Sequence, residues 1–330
     1  MSDESVTVVI PTKNRRNLLA RTLFSVLRQH GVELSVIVVD DGSDDDTAAF
    51  VRAHPDSRVQ LVRHERSRGV SCARNAGLER VQSRWASFVD DDDVWSPSKL
   101  QHQLAAVRES DGSRWSASGA AFIDSDNSVL WIQHPVASPV LPALLRINTI
   151  PGGGSGVLVE TEFVVAVGGF DADLSILADW DLWIRLAQGG EPALVPATDI
   201  GYYQHATSMS LDLSRSRREN AHIFEKYRSL YEAHGEPGES AEWHQYLGDV
   251  CLRNRQRRQA LAEYARAGTE IYSRKEVAGK IAISILFPRG LNRLRRWWLS
   301  RQPMAEIVMV EAWLRHIPTA SALLTDPTPS

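Results

Sequence analysis

Four consecutive aspartates, Asp90 to Asp93, follow an apolar run that is typical of a buried strand. Like charges this close raise one another's pKa and destabilise the fold unless a cation is bound. Carboxylate oxygens suit Mg²⁺ or Mn²⁺ shared with phosphate oxygens, whereas zinc and EF-hand calcium sites need other residues or another spacing. The alternative is an acidic start of the helix that follows Pro97, favoured by the helix dipole. That alternative accounts for Asp93 but hardly for all four residues.

Two more polar clusters stand at the ends of strand-like runs. Segment 11–14 (Pro-Thr-Lys-Asn) ends a run that starts at Val6, and segment 40–43 (Asp-Asp-Gly-Ser) ends a run that starts at Leu34. Through the first ninety residues such runs alternate with helical periodicity, which favours a parallel sheet covered by helices. Ligands of these sheets bind beyond the carboxyl ends of the strands. The sequence therefore predicts that three polar clusters meet at one rim.

The rest of the chain predicts a change from mixed to purely helical structure. A strand is expected around 117–123, then a loop-rich stretch to residue 145 and a glycine segment at 151–156. That segment either approaches a ligand closely or is a flexible hairpin loop. Helical patterns with start and stop signals cover 178–188, 214–231, 241–253, 257–272, 275–287 and 304–316.

Composition and charge restrict the class of protein. The 330 residues are 43% hydrophobic and 24% charged, which excludes a disordered or collagen-like chain. The balance of 37 Lys and Arg against 41 Asp and Glu argues against nucleic acid as a partner. Cys72 and Cys251 lack the spacing of a disulfide framework or a zinc site. The N-terminus lacks a secretion signal, and the apolar run 281–287 is too short to span a bilayer, so a cytoplasmic chain is predicted.

Seven motifs, taken together, resemble family 2 of the inverting glycosyltransferases. They are VVIPTKNR at 8–15, VVDDGSDDDT at 38–47, SCARNAG at 71–77, FVDDDD at 88–93, GVLV at 156–159, GGFD at 168–171 and ADWDLWIR at 178–185. The resemblance implies an α/β fold of the GT-A type, in which a mixed, mostly parallel sheet is flanked by helices. It covers about residues 5 to 207, so we predict a GT-A domain at 1–207 and a helical C-terminal domain at 208–330.

The resemblance also implies roles for individual residues. Asp179 corresponds to the general base, and Asp181 is the next candidate. Lys13 and Ala178 depart from the family pattern, which often has an aromatic and an acidic residue there. The residues expected to bind the nucleotide sugar are Pro11, Thr12, Lys13, Asn14, Asp40, Asp41, Arg74 and Asp91. Those expected to hold Mn²⁺ or Mg²⁺ are Asp90, Asp92 and His205.

Several of these residues have structural alternatives. Arg74 either contacts the nucleotide or pairs with a carboxylate at the sheet end. Asp179 is either the base or an aspartate favoured by the helix dipole. His205 either binds the metal or is an ordinary surface or core residue. Trp180 and Trp183 are predicted to belong to the core rather than to a sugar-stacking platform.

The function that the resemblance implies is transfer of a sugar from a nucleoside diphosphate sugar, most often a UDP sugar. The acceptor would be a hydroxyl of a glycan or a lipid-linked acceptor, in the synthesis of cell-surface polysaccharide or glycoconjugate. Inversion at a sugar carbon needs one carboxylate base and an electrophile at the leaving group, but no enzyme nucleophile. A nucleotidyltransferase is an alternative, although segment 11–16 lacks the glycines of a phosphate loop. A non-catalytic binding module with a helical docking region is another.

Five arginines lie close to two tryptophans, Trp297 and Trp298, in segment 289–301. Basic residues beside aromatic residues are typical of helices that lie on anionic lipid. This interpretation predicts a peripheral location at the inner face of the membrane, near a lipid-linked acceptor. The alternatives are that the tryptophans pack inside the helical region, or that the region forms a homo-oligomer.

Overall fold

The computed structural model describes residues 4–137, 139–205, 207–268, 304–320 and 322, and its first part alternates strands and helices as predicted. The strands are β1 (Val6–Thr12), β2 (Leu34–Asp40), β3 (Val59–Arg63) and β4 (Trp85–Phe88). The helices between them are α1 (Arg16–Val26), α2 (Thr47–Arg52) and α3 (Val70–Leu78).

The middle of the chain completes the sheet. Its strands are β5 (Val94–Trp95), β6 (Trp115–Ile123), β7 (Val129–Gln133), β8 (Val157–Glu160) and β9 (Ala193–Tyr203). Its helices are α4 (Lys99–Glu109), α5 (Val140–Leu144), α6 (Thr161–Ala166) and α7 (Ala178–Gly189), with a 3₁₀ turn at Gly153–Ser155.

Helices follow the last strand of the sheet. After a 3₁₀ turn at Met209–Leu211 come α8 (Leu213–Lys226), α9 (Arg228–His234), α10 (Ala241–Arg253), α11 (Arg257–Ala267) and α12 (Met304–Leu314). The predicted helix 275–287 and segment 289–301 lie outside the described residues. Among the described helices, none combines the length and the apolar character that a bilayer span requires.

The sheet is mixed, as predicted. Its strands follow the order β3-β2-β1-β4-β8-β6-β9-β5, and β7 also pairs with β6. The neighbours β3, β2, β1 and β4 run parallel, whereas β8 lies antiparallel between β4 and β6. Every residue of β1 is buried, which explains why this central strand is a continuous apolar run rather than an alternating one. Three of the parallel strands therefore present their carboxyl ends at one edge.

Three predictions of element bounds are wrong. The stretch expected to be loop-rich contains β7 and α5, because a short Asp-Asn turn at residues 126–127 returns the chain to pair β7 with β6. The helix expected over 214–231 is two helices, since the backbone leaves the helical region at Tyr227 (φ −114°). The helix α11 ends at Ala267, before Gly268 at a positive φ of 68°.

The helices after residue 207 share hydrophobic cores with the sheet. Ile223 of α8 and Trp243 of α10 belong to the same buried cluster as Val9 and Phe88 of the sheet. Helix α12 packs through Ile307, Val310 and Leu314 on the buried side chains of β6 and β7. These contacts are extensive, and the division into two domains at residue 207 stays a prediction.

Candidate active site

The three polar clusters line one cavity of about 360 Å³ at the edge of the sheet. We call the loops after β1, β2 and β4 (residues 11–15, 40–43 and 90–93) the sheet-end rim. We call Asn148, residues 175–177 and the first turn of α7 the helix side. Cavity-lining residues of the rim include Pro11, Thr12, Lys13, Arg15, Asp41, Asp90, Asp91 and Asp92. Other cavity-lining residues include Gly153, Gly154, Ser175, Ile176, Asp179 and Tyr202.

Asp91 is held by protein groups on both of its oxygens. Thr12 Oγ1 donates to Oδ2 at 2.7 Å, and Arg15 Nη1 donates to Oδ1 at 3.0 Å. Burial raises the pKa of Asp91, and the charge of Asp92 raises it further. Burial would lower the pKa of Arg15, but the charges of Asp91 and Asp92 raise it above its usual value. Asp91 thus anchors Arg15 in the rim, and its contact with a ribose stays a prediction.

Asp92 joins the rim to the segment that follows β9. His205 Nε2 lies 2.9 Å from Asp92 Oδ2, and Arg15 Nη1 lies 2.7 Å from the same oxygen. Burial would raise the pKa of Asp92, but the hydrogen bond with His205 and the charge of Arg15 hold it below its usual value. The structure therefore brings His205 to the aspartates, as the resemblance implies.

Arg74 forms an ion pair with Asp90. Asp90 is thus a sheet-end carboxylate of the kind expected as the alternative partner of Arg74. The arginine is buried beneath Gly154, where a Cβ atom would lie 2.8 Å from its Nη2 atom. Its Nε atom is buried and has no hydrogen-bond partner in the described part of the chain. A buried donor without a partner costs free energy unless a ligand or water satisfies it, so Arg74 retains capacity for an anionic ligand.

The pair Asp90 and Asp92 fits a hard divalent ion that takes other ligands from a bound phosphate. Within the described residues, no group of three His, Cys, Asp or Glu side chains is placed to hold a metal. Mg²⁺ commonly binds one or two carboxylates and completes its shell with water and substrate phosphates. Both aspartates line the cavity, two residues apart on one loop. Their number and chemistry therefore suit Mg²⁺ or Mn²⁺ held together with a diphosphate.

The carboxylate of Asp41 shapes the rim loop. It accepts four hydrogen bonds, from His64 Nδ1 at 2.7 Å, Ser67 Oγ at 2.6 Å, Arg68 N at 2.9 Å and Gly69 N at 2.9 Å. These bonds use the four acceptor positions of a carboxylate. Burial would raise the pKa of Asp41, but these bonds lower it. Contact of Asp41 with a nucleotide stays a prediction and would require one bond to be exchanged.

Asp40 and Asn14 hold the backbone of the same rim. Asp40 Oδ1 accepts from Ser43 N at 2.9 Å, and Arg63 Nε lies 3.3 Å from Oδ2. Asn14 has a positive φ of 55°, and its side-chain oxygen accepts from Asp44 N at 2.8 Å. Neither residue lines the cavity, and their predicted nucleotide contacts stay untested.

Asp93 ties the aspartate loop to the glycine segment. Ser155 Oγ donates to Asp93 Oδ2 at 2.6 Å, and Tyr203 N donates to Oδ1 at 3.0 Å. Ser155 Oγ also accepts from Asp90 N at 3.0 Å. The glycine segment is therefore a bonded 3₁₀ turn against the aspartates, and not a flexible hairpin loop.

Asp179 lies in the first turn of α7 and lines the cavity. Asn148 Nδ2 donates to its Oδ2 atom at 3.0 Å. Burial raises the pKa of Asp179 to about 6, although the charge of Arg74 opposes the rise. A carboxylate with this pKa is deprotonated at neutral pH and still basic enough to accept a proton. The arrangement can therefore remove a proton from a group bound in the cavity.

The other candidates on α7 serve the core. Asp181 is fully buried and faces α8, where Tyr227 OH donates to its Oδ1 atom at 2.7 Å. Asp181 does not line the cavity, so it is not a second base in this structure. Trp180 and Trp183 are 1% and 0% exposed, which confirms that they are core residues.

Sequence reasoning missed three residues that hold the site together. Arg15 forms ion pairs with both Asp91 and Asp92. The sequence feature that could have identified it is its position at the end of the VVIPTKNR motif. Asn148 contacts Asp179, and Glu219 contacts the backbone before α7. Neither of these two belongs to a motif, because each reaches the site from an element that is distant in sequence.

Comparison with known proteins identifies the class. The sequence model of Glycosyl transferase family 2 matches residues 7–135. The succinoglycan biosynthesis protein ExoO of Rhizobium meliloti (strain 1021) is 41% identical over 99 residues, which are 30% of this chain and 28% of that protein. The match of residues 7–135 to this family model confirms the predicted resemblance for that part of the chain.

Two further proteins refine this likeness. The UDP-Glc:alpha-D-GlcNAc-diphosphoundecaprenol beta-1,3-glucosyltransferase WfgD of Escherichia coli is 33% identical over 107 residues, which are 32% of this chain and 42% of that protein. The chain thus matches less than half the length of either relative. The mannosyltransferase PcManGT of Pyrobaculum calidifontis, solved in complex with GDP-Man and Mn²⁺, has a TM-score of 0.52 at 21% identity. That alignment covers 93% of this chain and 86% of that one, and it confirms the GT-A fold.

Proposed function

We propose that the chain is a metal-dependent, inverting glycosyltransferase that uses a nucleoside diphosphate sugar. The observation that carries the proposal is Asp179, a carboxylate with a pKa of about 6 in the same cavity as Asp90 and Asp92. A general base works best when its pKa lies near the operating pH. Direct displacement at a sugar carbon needs an electrophile at the leaving group and a base at the acceptor, and residues for both line this one cavity.

In this mechanism Asp179 accepts the proton of the acceptor hydroxyl as that oxygen attacks the sugar. Asn148 holds the Oδ2 atom of the base, and its own Oδ1 atom accepts from Ile150 N at 3.1 Å, which fixes the orientation of the amide. Asp90 and Asp92 would hold Mn²⁺ or Mg²⁺, which when bound stabilises the negative charge of the leaving diphosphate. Arg74, with its free Nε donor, adds positive charge on the same wall as the aspartates.

The acceptor is proposed to be a hydroxyl of a glycan or of a lipid-linked sugar, in cell-surface polysaccharide or glycoconjugate synthesis. The names of ExoO and WfgD support this setting, since one acts in succinoglycan synthesis and the other on a diphosphoundecaprenol-linked sugar. With such an acceptor, the location we propose for the enzyme is the cytoplasmic face of the membrane. Contact with lipid through segment 289–301, outside the described residues, remains part of this proposal.

Incubation of the purified chain with UDP and GDP sugars tests the proposed function. Transfer to a diphosphoundecaprenol-linked sugar should release nucleoside diphosphate with Mn²⁺ and stop when EDTA is added. NMR of the product should show the anomeric configuration opposite to that of the donor. Transfer that persists in EDTA contradicts metal dependence, and a product with the donor's configuration contradicts inversion.

A further inference from the structure

Glu219 of helix α8 contacts the backbone just before the proposed base. Glu219 is only 7% exposed, although α8 lies after the last strand of the sheet. Oε1 accepts from Ser175 N at 3.1 Å and Ser175 Oγ at 2.7 Å. Oε2 accepts from Ile176 N at 2.8 Å and Leu177 N at 2.9 Å. One buried carboxylate thus satisfies three consecutive amides and a hydroxyl.

These amides directly precede the helix that carries Asp179, which begins at Ala178. Leu177 is the N-cap residue of α7, and its own side chain cannot accept a hydrogen bond. An anion near the N-terminus of a helix is stabilised by the helix dipole and by unpaired amide donors. Glu219 therefore supplies, from another helix, a carboxylate acceptor for the N-cap amide of α7 and for the two amides before it. Asp179 follows only two residues after the last amide that Glu219 binds.

The same face of α8 contacts α7 at a second point. Tyr227 OH and Lys226 Nζ lie 2.7 and 2.8 Å from Asp181 Oδ1, and both residues follow Glu219 by about two helical turns. Ile223, which lies between these positions, is fully buried in the core. Contacts before and after Asp179 leave the helix little freedom to tilt. Moreover, Ser175 and Ile176 line the cavity, so the bound loop is also part of its wall.

We propose that Glu219 is a positioning residue that sets the place of the base Asp179 relative to the cavity. The inference rests on the proposed function, because it takes Asp179 as the base. It assigns a role in the reaction to the helical region after residue 207. Glu219 does not line the cavity, so it acts through the backbone of residues 175–177.

The variant Glu219→Gln tests this role while keeping the side-chain volume. The amide would present N–H groups to backbone donors, so about half of the hydrogen bonds are lost. We expect kcat to fall by about 10- to 100-fold, the effect of misplacing a catalytic group by about 1 Å. The Kd of nucleoside diphosphate with Mn²⁺ should stay within about 2-fold of the wild type, because the sheet-end rim is unchanged. Assays well below the melting temperature keep a loss of global stability from affecting kcat.

The matched control is Glu225→Gln, an exposed glutamate on the same helix whose ion-pair partner is Arg228. It should have wild-type kcat. Hydrogen exchange gives a readout that needs no substrate, and the amides of residues 176 and 177 should exchange faster in Glu219→Gln than in the control. If Glu219→Gln does not fold, Ser175→Ala removes one of the four bonds and should lower kcat several-fold.

Wild-type kcat in a folded Glu219→Gln variant would overturn the positioning role, as would a loss of nucleotide affinity as large as the loss of kcat. If Glu219→Gln does not fold, wild-type kcat in Ser175→Ala overturns it as well. Failure of the proposed function has a different signature, since Asp179→Asn would then transfer sugar normally or the wild type would transfer none. In that case the exchange of residues 176 and 177 still reports whether Glu219 holds the loop.

Discussion

The sheet-end rim and the helix side of the cavity are built in different ways. The rim consists of loops at the ends of β1, β2 and β4, and hydrogen bonds of the motif residues Thr12 and Arg15 to Asp91 join two of these loops. The helix side depends on Asn148 and Glu219, which approach α7 from a loop after α5 and from helix α8. Motif residues thus connect parts of the rim, whereas the contacts of the helix side come from residues outside the motifs. The comparison predicts that variants of the rim lose donor binding, whereas variants of the helix side lose activation of the acceptor.

The largest expected effect is that of Asp179→Asn, which removes the proposed base and keeps its shape. We expect kcat for transfer to fall by about 10² to 10⁴-fold, the usual contribution of a general base. Steady-state kinetics at saturating donor and acceptor measure the change. Turnover close to that of the wild type would place the base elsewhere, and the division between the two sides would then be wrong.

The division also explains what the sequence could predict. The Val- and Ile-rich runs predict the parallel strands, and parallel strands of one sheet edge bring residues 11–14, 40–43 and 90–93 together. The elements β7 and α5 were missed because each is only five residues long and neither shows a clear period. Asn148 and Glu219 could not be found, because their contacts span 31 and 42 to 44 residues and no local pattern encodes them.

The pH dependence of transfer should show whether Asn148 acts on the proposed base Asp179. With a pKa of about 6, Asp179 loses its basic form as the pH falls through 6, so kcat should decrease on the acid side. Asn148→Ala removes a donor from the charged form and should therefore raise this pKa above 6. The kcat profile between pH 5 and 8, about one unit or more to each side of that pKa, measures the shift. An acid limb at the wild-type position would show that Asn148 does not act on the base.

A smaller effect, on stability rather than on turnover, is expected for Arg21, which contacts the aspartate loop of the rim. This buried arginine donates to Pro318 O at 2.9 Å, to Asn127 Oδ1 and to Asp92 O at 3.2 Å. Arg21→Met leaves these acceptors without their donor, so the free energy of unfolding should fall by about 2 to 4 kcal/mol. Urea denaturation measures it, with the exposed Arg28→Met as the control. Equal stability of the two variants would mean that the C-terminal segment does not brace the aspartate loop.

The smallest effect is expected for Ser240→Ala, which weakens the helix side without touching Asp179. Ser240 caps α10 by accepting from Trp243 N at 3.0 Å, and the ring of Trp243 lies 5.8 Å from that of Trp180 in α7, in a tilted arrangement. Loss of the cap should lower the free energy of unfolding by about 1 kcal/mol. We expect kcat to be unchanged, because the contacts of Glu219 remain. A decrease of kcat like that of Glu219→Gln would show that general helix stability, and not a local contact, positions the base.

Calorimetric titration of two variants tests the central claim most directly. That claim is that the rim binds the donor while the helix side activates the acceptor. With Mn²⁺ present, Asp179→Asn should bind the nucleoside diphosphate sugar with wild-type affinity. Under the same conditions Asp92→Asn should show no Mn²⁺-dependent binding. Equal affinities of the two variants, or loss of binding in Asp179→Asn alone, would contradict the division of roles between the two sides of the cavity.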